Sequence, residues 1–449
     1  MKKIITIAYL MFLSLPLFSQ KENIIIAGPM IGHVEFRTAK VWIELNKDIN
    51  NVQLFYWEEN KTNKQKATFS KQLNKISNIS IFDLIQLEPG TKYKYSILYK
   101  NKTIDSGTVK TQTLWQYRTE PPAFSMLAGS CAYFNEPIYD RPGRPYGNDS
   151  SIFKSMAKEN ADLMLWLGDN WYTREVDYYS EWGLNYRAQR DRSQQVLQPL
   201  LKAMPNYAVW DDHDYGYNNA GLSYPLKETS RSVFTSYWAN PSYGEASEGI
   251  YSRFIWNDVE FFVLDDRYFR SDDKLPDSIN GQPNPSKKMF GDKQLNWLEN
   301  ALSQSSENYK INFRFIVSGS QILNELNPYD CLTHYPIEYN ELINFITKNK
   351  IEGVVFLTGD RHHSEIIKKE RNGTYPLLDI TASPLTSGLS KFTGKEKNHP
   401  SRIIGIDHTT NYGKISFTGT FKDRKMKIEF IGPGGESLTV YEIDAKDLK

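Results

Sequence analysis

The chain has 449 residues, with 54 basic and 53 acidic side chains and a formal net charge of +1. That length suggests about two or three domains, and the near-neutral balance excludes a strongly basic nucleic-acid binder. Two cysteines exclude a disulfide scaffold, while an aromatic share of 14% favours β structure and aromatic-lined clefts without naming a ligand.

At the N-terminus, Lys2 and Lys3 precede an apolar run from Ile4 to Phe18, followed by Ser19 and Gln20. A positive start, an apolar centre and a small residue at the break predict a secretory signal peptide over residues 1–20. The mature protein is then secreted or periplasmic. The run is shorter than the roughly 20 residues of a membrane span, no second long apolar stretch follows, and no cysteine follows it to carry a lipid.

Residues 21–117 read as a small all-β domain. Residues 39–45 alternate inward and outward with period two, and residues 52–57 give a second strand. Leu87, Pro89, Gly90, Thr91 and Tyr93 form a turn that feeds an alternating strand, a stretch that resembles fibronectin type III domains. Pro121 and Pro122 then mark a linker.

From residue 123 to residue 449 the pattern changes. Six short apolar runs each end in polar residues: Gly129-Ser130-Cys131; Gly168-Asp169; Asp211-Asp212-His213-Asp214; Asp265-Asp266-Arg267; Ser318-Gly319-Ser320-Gln321; and Gly359-Asp360-Arg361-His362-His363. Helix-like stretches lie between some of them: one capped by Asp292, with Leu295, Leu298 and Leu302 on one face, and one at residues 339–348. Buried strands alternating with helices predict an α/β or α+β sandwich flanked by helices, with its site at the carboxyl ends of the strands. The tail predicts antiparallel strands closing a sheet, with a turn at residues 432–435. Residues 274–286 read as a surface loop beside the site, and with residues 215–226 they are expected to set how open the cleft is.

Asp169, Asp211, Asp212, Asp214 and Asp360, together with His213, His362 and His363, cannot all be satisfied core groups. Carboxylates meeting in one cleft repel unless cations or protons neutralise them. A multinuclear metal site resolves this, because two metals about 3.5–4 Å apart can hold a phosphate for in-line attack by a metal-bound hydroxide. The chain has no Gly-Lys-Ser/Thr phosphate loop and no Gly-x-Ser-x-Gly elbow.

In this order the motifs resemble the PhoD-type alkaline phosphatases, within the metallophosphoesterase superfamily, from about Ile24 to near the C-terminus. The resemblance implies a metallophosphoesterase-like β-sandwich behind a small fibronectin- or Ig-like domain. It also implies a secreted phosphoester hydrolase that uses Fe(III) and Ca(II) and acts on small-molecule or lipid phosphoesters. By the same resemblance, Cys131, Tyr172 and His362 hold the iron, Asp169 bridges, and Asp212 and Asp360 serve the calcium. The alternatives for Cys131 are a buried thiol or a disulfide with Cys331. His213 stabilises the transferring phosphoryl group or protonates the leaving alcohol. Arg267 makes a bidentate phosphate contact, or else a salt bridge with Asp265 or Asp266. Asp211 orients a neighbour rather than binding metal. Asp214 stands where the family usually has Glu. Ser320 or Gln321 stands where the superfamily has a histidine, and Asn218, Asn219 and Asn240 compete for the family's asparagine. Arg361 and His363 either touch substrate or support the ligands from behind.

Three rivals remain. A phosphodiesterase, phospholipase D-like in its substrates, shares every motif. A purple acid phosphatase would want Asp-x-His and Gly-Asn-His, where this chain has Gly-Ser-Cys and Asp-Asp-His. A catalytically dead secreted binding protein has no chemical reason to keep the whole ligand set.

Overall fold

Period-two alternation builds two facing antiparallel sheets at the N-terminal end. In one, Ile25–Val34, Ala39–Leu45, Asn78–Leu84 and Thr68–Ser70 lie side by side; in the other, Gln65–Lys66, Gln53–Glu58, Lys92–Tyr99 and Lys102–Lys110 do. Along Lys92–Tyr99 the inward Tyr93, Tyr95 and Ile97 are buried, and they meet Val41, Ile43, Leu54 and Tyr56 from the other strands in one core. The computed structural model describes residues 24–70, 76–308 and 310–449, so the predicted leader at residues 1–20 lies outside the described residues. The all-β N-terminal unit is as the sequence predicts, and it docks through specific contacts. The Trp42 indole donates to the Ser236 carbonyl at 2.7 Å. Gln189 and Tyr237 donate to the wholly buried Glu44, whose carboxyl is pushed up by burial.

The rest of the chain forms two larger sheets. The first runs Asn206–Val209, Leu163–Leu167, Phe124–Gly129, Tyr412–Thr418, Lys425–Ile431 and Ser437–Asp444; its first three strands are parallel and the tail closes it antiparallel. The second runs Ser252–Trp256, Val259–Val263, Phe313–Val317, Val354–Thr358, Thr374–Thr381, Ser364–Arg371 and Arg402–Ile406. Its strands from Val259–Val263 to Thr374–Thr381 are parallel. Leu163–Leu167, Phe313–Val317 and Val354–Thr358 are buried at every position, which is why they read as unbroken apolar runs rather than alternating ones. The sheets meet face to face where the Phe417 ring stacks on Phe124 at 4.6 Å and touches Phe313 and Phe315 at 5.4 and 6.0 Å.

Both sheets deliver their parallel strand ends to the same place. The approach is close at Gly359, where a Cβ would lie 2.2 Å from the Leu167 carbonyl oxygen. Only glycine lets the loop after Val354–Thr358 settle against the end of Leu163–Leu167.

Two helix starts differ from the sequence reading. Asp292 does not cap its helix; Gly291–Ser306 begins one residue earlier, and Asp292 lies in the first turn. The buried Glu338 supplies the cap from a neighbouring helix, accepting N–H bonds from Met289, Phe290 and Gly291 at 2.7, 2.9 and 2.8 Å. That neighbouring helix, Pro336–Lys348, starts before residue 339 because proline suits a first turn. Among the described residues, no helix is long and apolar enough to cross a membrane.

Candidate metal centre

The strand ends carry unusual backbone. Cys131, Asp169, Asp360 and His362 have φ of 63°, 53°, 64° and 56°, in the left-handed region that L-residues avoid. Each costs about 1–2 kcal/mol relative to ordinary backbone. Four such residues at converging strand ends are held by the surrounding structure, a pattern that marks functional sites. The Cys131 N–H donates to the Gly168 carbonyl at 3.3 Å, and the Ala132 N–H donates to the Asp169 carbonyl at 2.8 Å, so the two loops support each other.

The ligating atoms of Cys131, Asp169 and His362 lie within 4.8 Å of one another, and so do those of Asp169, Asp212 and His213. Asp169 is common to both groups and therefore stands where a shared carboxylate would stand. The Tyr172 hydroxyl is 3.1 Å from His362 Nε2, and the hydroxyl of Tyr146 is 3.0 Å from Nδ1 of the same ring. The His213 ring packs on Tyr172 with centroids 4.3 Å apart. Asp212 Oδ2 accepts the Asn219 N–H at 2.7 Å, while Asp212 Oδ1 and His213 Nδ1 are buried without a hydrogen-bond partner.

The electrostatics describe a cluster short of positive charge. Burial pushes the Asp169 carboxyl well above its usual range, and the charges of Cys131, Asp212, Asp214 and Asp360 add to it. Desolvation, then Asp330 and Asp212, raise Asp360 to about 6. Burial and Asp360 raise the Cys131 thiol to about 11. Burial works against Asp212 too, yet His213 and Arg267 hold it below the usual carboxylate range. Cations would reverse the upward shifts of Asp169, Asp360 and Cys131 and reinforce the downward one of Asp212. The residues fit such ions chemically: thiol, imidazole and phenol suit iron or zinc, and carboxylates suit calcium, magnesium or manganese. Asp360 stands outside both three-residue groups and meets them through its charge.

Several expectations change. Arg267 is wholly buried. Its Nε donates to Asp211 and its Nη2 to Asp330 at 2.6 Å, leaving Nη1 without a partner. The bidentate phosphate contact is therefore not available in this structure, because two of the three nitrogens are taken. The salt bridge is present: Asp266, one of the two expected partners, lies at 4.0 Å, Asp211 and Asp330 are closer partners, and Asp265 accepts only the backbone N–H of Arg267. Asp211 anchors Arg267 and caps the turn Asp212–Tyr215, while both carboxylate oxygens of Asp214 accept backbone N–H groups, from Asn170 and Asp211.

Ser320 Oγ lies against Arg267 and Arg270, and Gln321 donates to Glu365 and Thr381. Asn240 pairs with the backbone of Ala208; Asn218 lines the cleft and Asn219 holds Asp212. Arg361 pairs with Glu396 and His363 lies beside Glu365, and neither is among the residues that line the cleft. Cys131 and Cys331 are both free thiols, which rules out the disulfide.

A cleft of about 760 Å³ opens beside Tyr172 and His213. Its walls are not the loop at residues 274–286, which folds into a small exposed hairpin, Ser278–Ile279 with Gln282–Pro283. Residues from Tyr133 to Tyr146 and from Tyr172 to Tyr179 form most of the wall, with Tyr217 and Asn218. Tyr146 and these wall segments escape the motif reading; the crowding of Tyr and Arg just after Cys131 and Asp169 is the signal that would find them.

A family model described as PhoD-like phosphatase matches residues 126–424, and a domain of unknown function, DUF7800, matches residues 22–110. Alkaline phosphatase D of Bacillus subtilis (strain 168) is 26% identical over 322 residues, covering 62% of this chain and 52% of that protein. The match thus spans about half the length of that relative. A solved structure of PhoD superposes with a TM-score of 0.75 at 20% identity, covering 96% of this chain and 92% of that one. The purple acid phosphatase PPD1 from yellow lupin (Lupinus luteus) seeds superposes with a TM-score of 0.67 at 12% identity, covering 94% and 75%. These two likenesses show the fold: mixed sheets behind an all-β N-terminal unit. With the family model spanning more than half of its length, the chain belongs to the PhoD-like phosphatase family.

Proposed function

We propose that this protein is a secreted or periplasmic, metal-dependent phosphoester hydrolase that releases inorganic phosphate from phosphate esters. The observation that carries the reading is the pair of donor groups sharing Asp169, beside a cleft that Tyr172 and His213 line. Cys131, Tyr172 and His362 would hold iron, Asp212 and Asp360 calcium, and Asp169 both. When bound, the ions would lower the pKa of water and neutralise charge building on the phosphate oxygens.

The chain's own groups have distinct tasks in this account. Tyr146 holds the His362 ring from the side opposite Tyr172, fixing its orientation. His213 lines the cleft with an unpartnered Nδ1, which supports hydrogen bonding to the transferring phosphoryl group or proton donation to the leaving alcohol. Arg267 acts as a positioning residue by fixing Asp211, which caps the turn bearing Asp212 and His213. The alcohol leaves opposite the incoming hydroxide, so no phospho-enzyme is needed.

The cleft has space for a second ester substituent, which supports phosphodiesters as a second reading. The test is phosphate release by the purified mature protein and by Asp169→Ala. The reading expects a loss of about a thousandfold with the fold retained. Equal activity in both proteins would contradict it, and a folded wild type that binds phosphoesters without hydrolysing them would favour the binding-protein alternative.

A further inference from the structure

We propose that the cleft selects phosphoesters whose alcohol carries a planar aromatic ring, the nucleoside phosphates being the fitting biological class. This rests on the hydrolase reading above and names its substrate.

The lining carries the argument. Seven of its sixteen residues are tyrosines, and no Leu, Ile, Val, Met or Phe is among them. Its large apolar groups are thus the tyrosine rings, with one proline, Pro142. A flexible acyl chain gains most from aliphatic walls that mould to it, whereas a planar base gains from ring faces and edges. The rings run outward from the metal centre. Tyr172 and Tyr146 touch His362 at the inner end. Tyr178 meets Tyr179 and Tyr217 edge to face at 4.8 and 5.8 Å. Tyr179 is 75% exposed and Tyr139 40%, so their rings are free to take a ligand.

Charge points the same way. Three arginines and two acids line the cleft. Arg174 pairs with Asp140 at 2.9 Å and Arg141 with Glu175 at 2.9 Å. Arg144 has no ion-pair or hydrogen-bond partner among the described residues and is exposed. An unpaired guanidinium at an aromatic rim attracts anions and stacks on planar rings. The volume of about 760 Å³ lies within the range that takes a small molecule such as a nucleotide.

The test separates binding from turnover. The phosphonate analogues of 5′-AMP and of glycerol 3-phosphate resist hydrolysis at their C–P bonds, and titration calorimetry on the metal-loaded mature protein gives a Kd for each. The adenosine compound is expected to bind at least about tenfold tighter, and Tyr139→Ala with Tyr179→Ala to reduce that ratio about fivefold or more. Equal Kd values for the two analogues, or binding of neither, would overturn the proposal. So would a ratio unchanged in the double variant, or tighter binding of a short-chain phosphatidate. If the double variant does not fold, the wild-type ratio alone decides. Adenosine binding without phosphate release from 5′-AMP or glycerol 3-phosphate would sink the hydrolase reading and leave the aromatic subsite standing.

Discussion

The Tyr172 hydroxyl and His362 Nε2 meet at 3.1 Å although 190 residues separate them in the chain. The contact joins the ends of two strands that belong to different sheets, Leu163–Leu167 and Val354–Thr358. Tyr172→Phe keeps the ring on His213 and removes only the oxygen. It is expected to reduce metal retention by about 10–100-fold while leaving the melting temperature of the metal-free protein near wild type. Metal titration followed by thermal melting checks both.

Removing metal should unmask the repulsion among Asp169, Asp212 and Asp360. Dialysis against chelator is expected to lower Tm by roughly 5 °C or more near neutral pH, because tight ligands stabilise only the folded state. Asp169→Asn should shrink that gap, since one buried carboxylate no longer needs a cation. Calorimetric melts of both proteins, with and without chelator, measure it.

Arg267 is expected to matter first for stability. Arg267→Met leaves Asp211 buried without its partner and Asp330 with Arg270 alone, and should cost about 3–5 kcal/mol. Asp330 is held far below the usual carboxylate range, since Arg270 and Arg267 outweigh the cost of its burial. Adding Asp211→Asn to the first change removes the orphaned charge and is therefore expected to restore part of the loss. Urea unfolding of the single and double variants decides this.

Asp379 gives a pH dependence away from the metal centre. Burial, with the Glu365 charge as a smaller cause, raises its carboxyl to about 6 against the hydrogen bonds from Ile322, Leu323 and Thr358. A raised folded pKa means the native state holds a proton that the unfolded state releases. Its contribution is complete below about 4 and is lost as pH rises through about 6, on the order of 3 kcal/mol in all. In Asp379→Asn, one side-chain oxygen still accepts the Ile322 and Leu323 N–H groups, and the amide can donate to Thr358, whose hydroxyl turns to Thr381 at 3.0 Å. Relative to wild type, that variant should gain stability between pH 4.5 and pH 7.5, which denaturant midpoints at the two pH values would show.

The sequence carries much of this fold because both sheet types leave a signature. The bounds of Ala39–Leu45 and Phe313–Val317 are legible to the residue, but only the second is buried as the sequence reads; Ala39–Leu45 is buried at six of its seven positions rather than alternating, because Trp42 and Glu44 on its other face dock on Ser236, Gln189 and Tyr237. Cys131, Asp169, Asp212, His213 and His362 are legible because each sits just past such a run. What stays hidden depends on contacts between distant segments. Glu338 capping a helix from another helix, Asp330 completing the Arg267 pair, and Tyr146 reaching His362 across 216 residues leave no local pattern. The two readings of Arg267 stay open in the sequence for the same reason: an arginine after a strand looks alike whether it faces a cleft or buried aspartates.

Elemental analysis of the purified mature protein, without added metal or chelator, tests the central claim most directly. A centre built from Cys131, Asp169, Tyr172, Asp212, Asp360 and His362 predicts about one iron with at least about one calcium per chain. Zinc alone, or no tightly held metal, would contradict it.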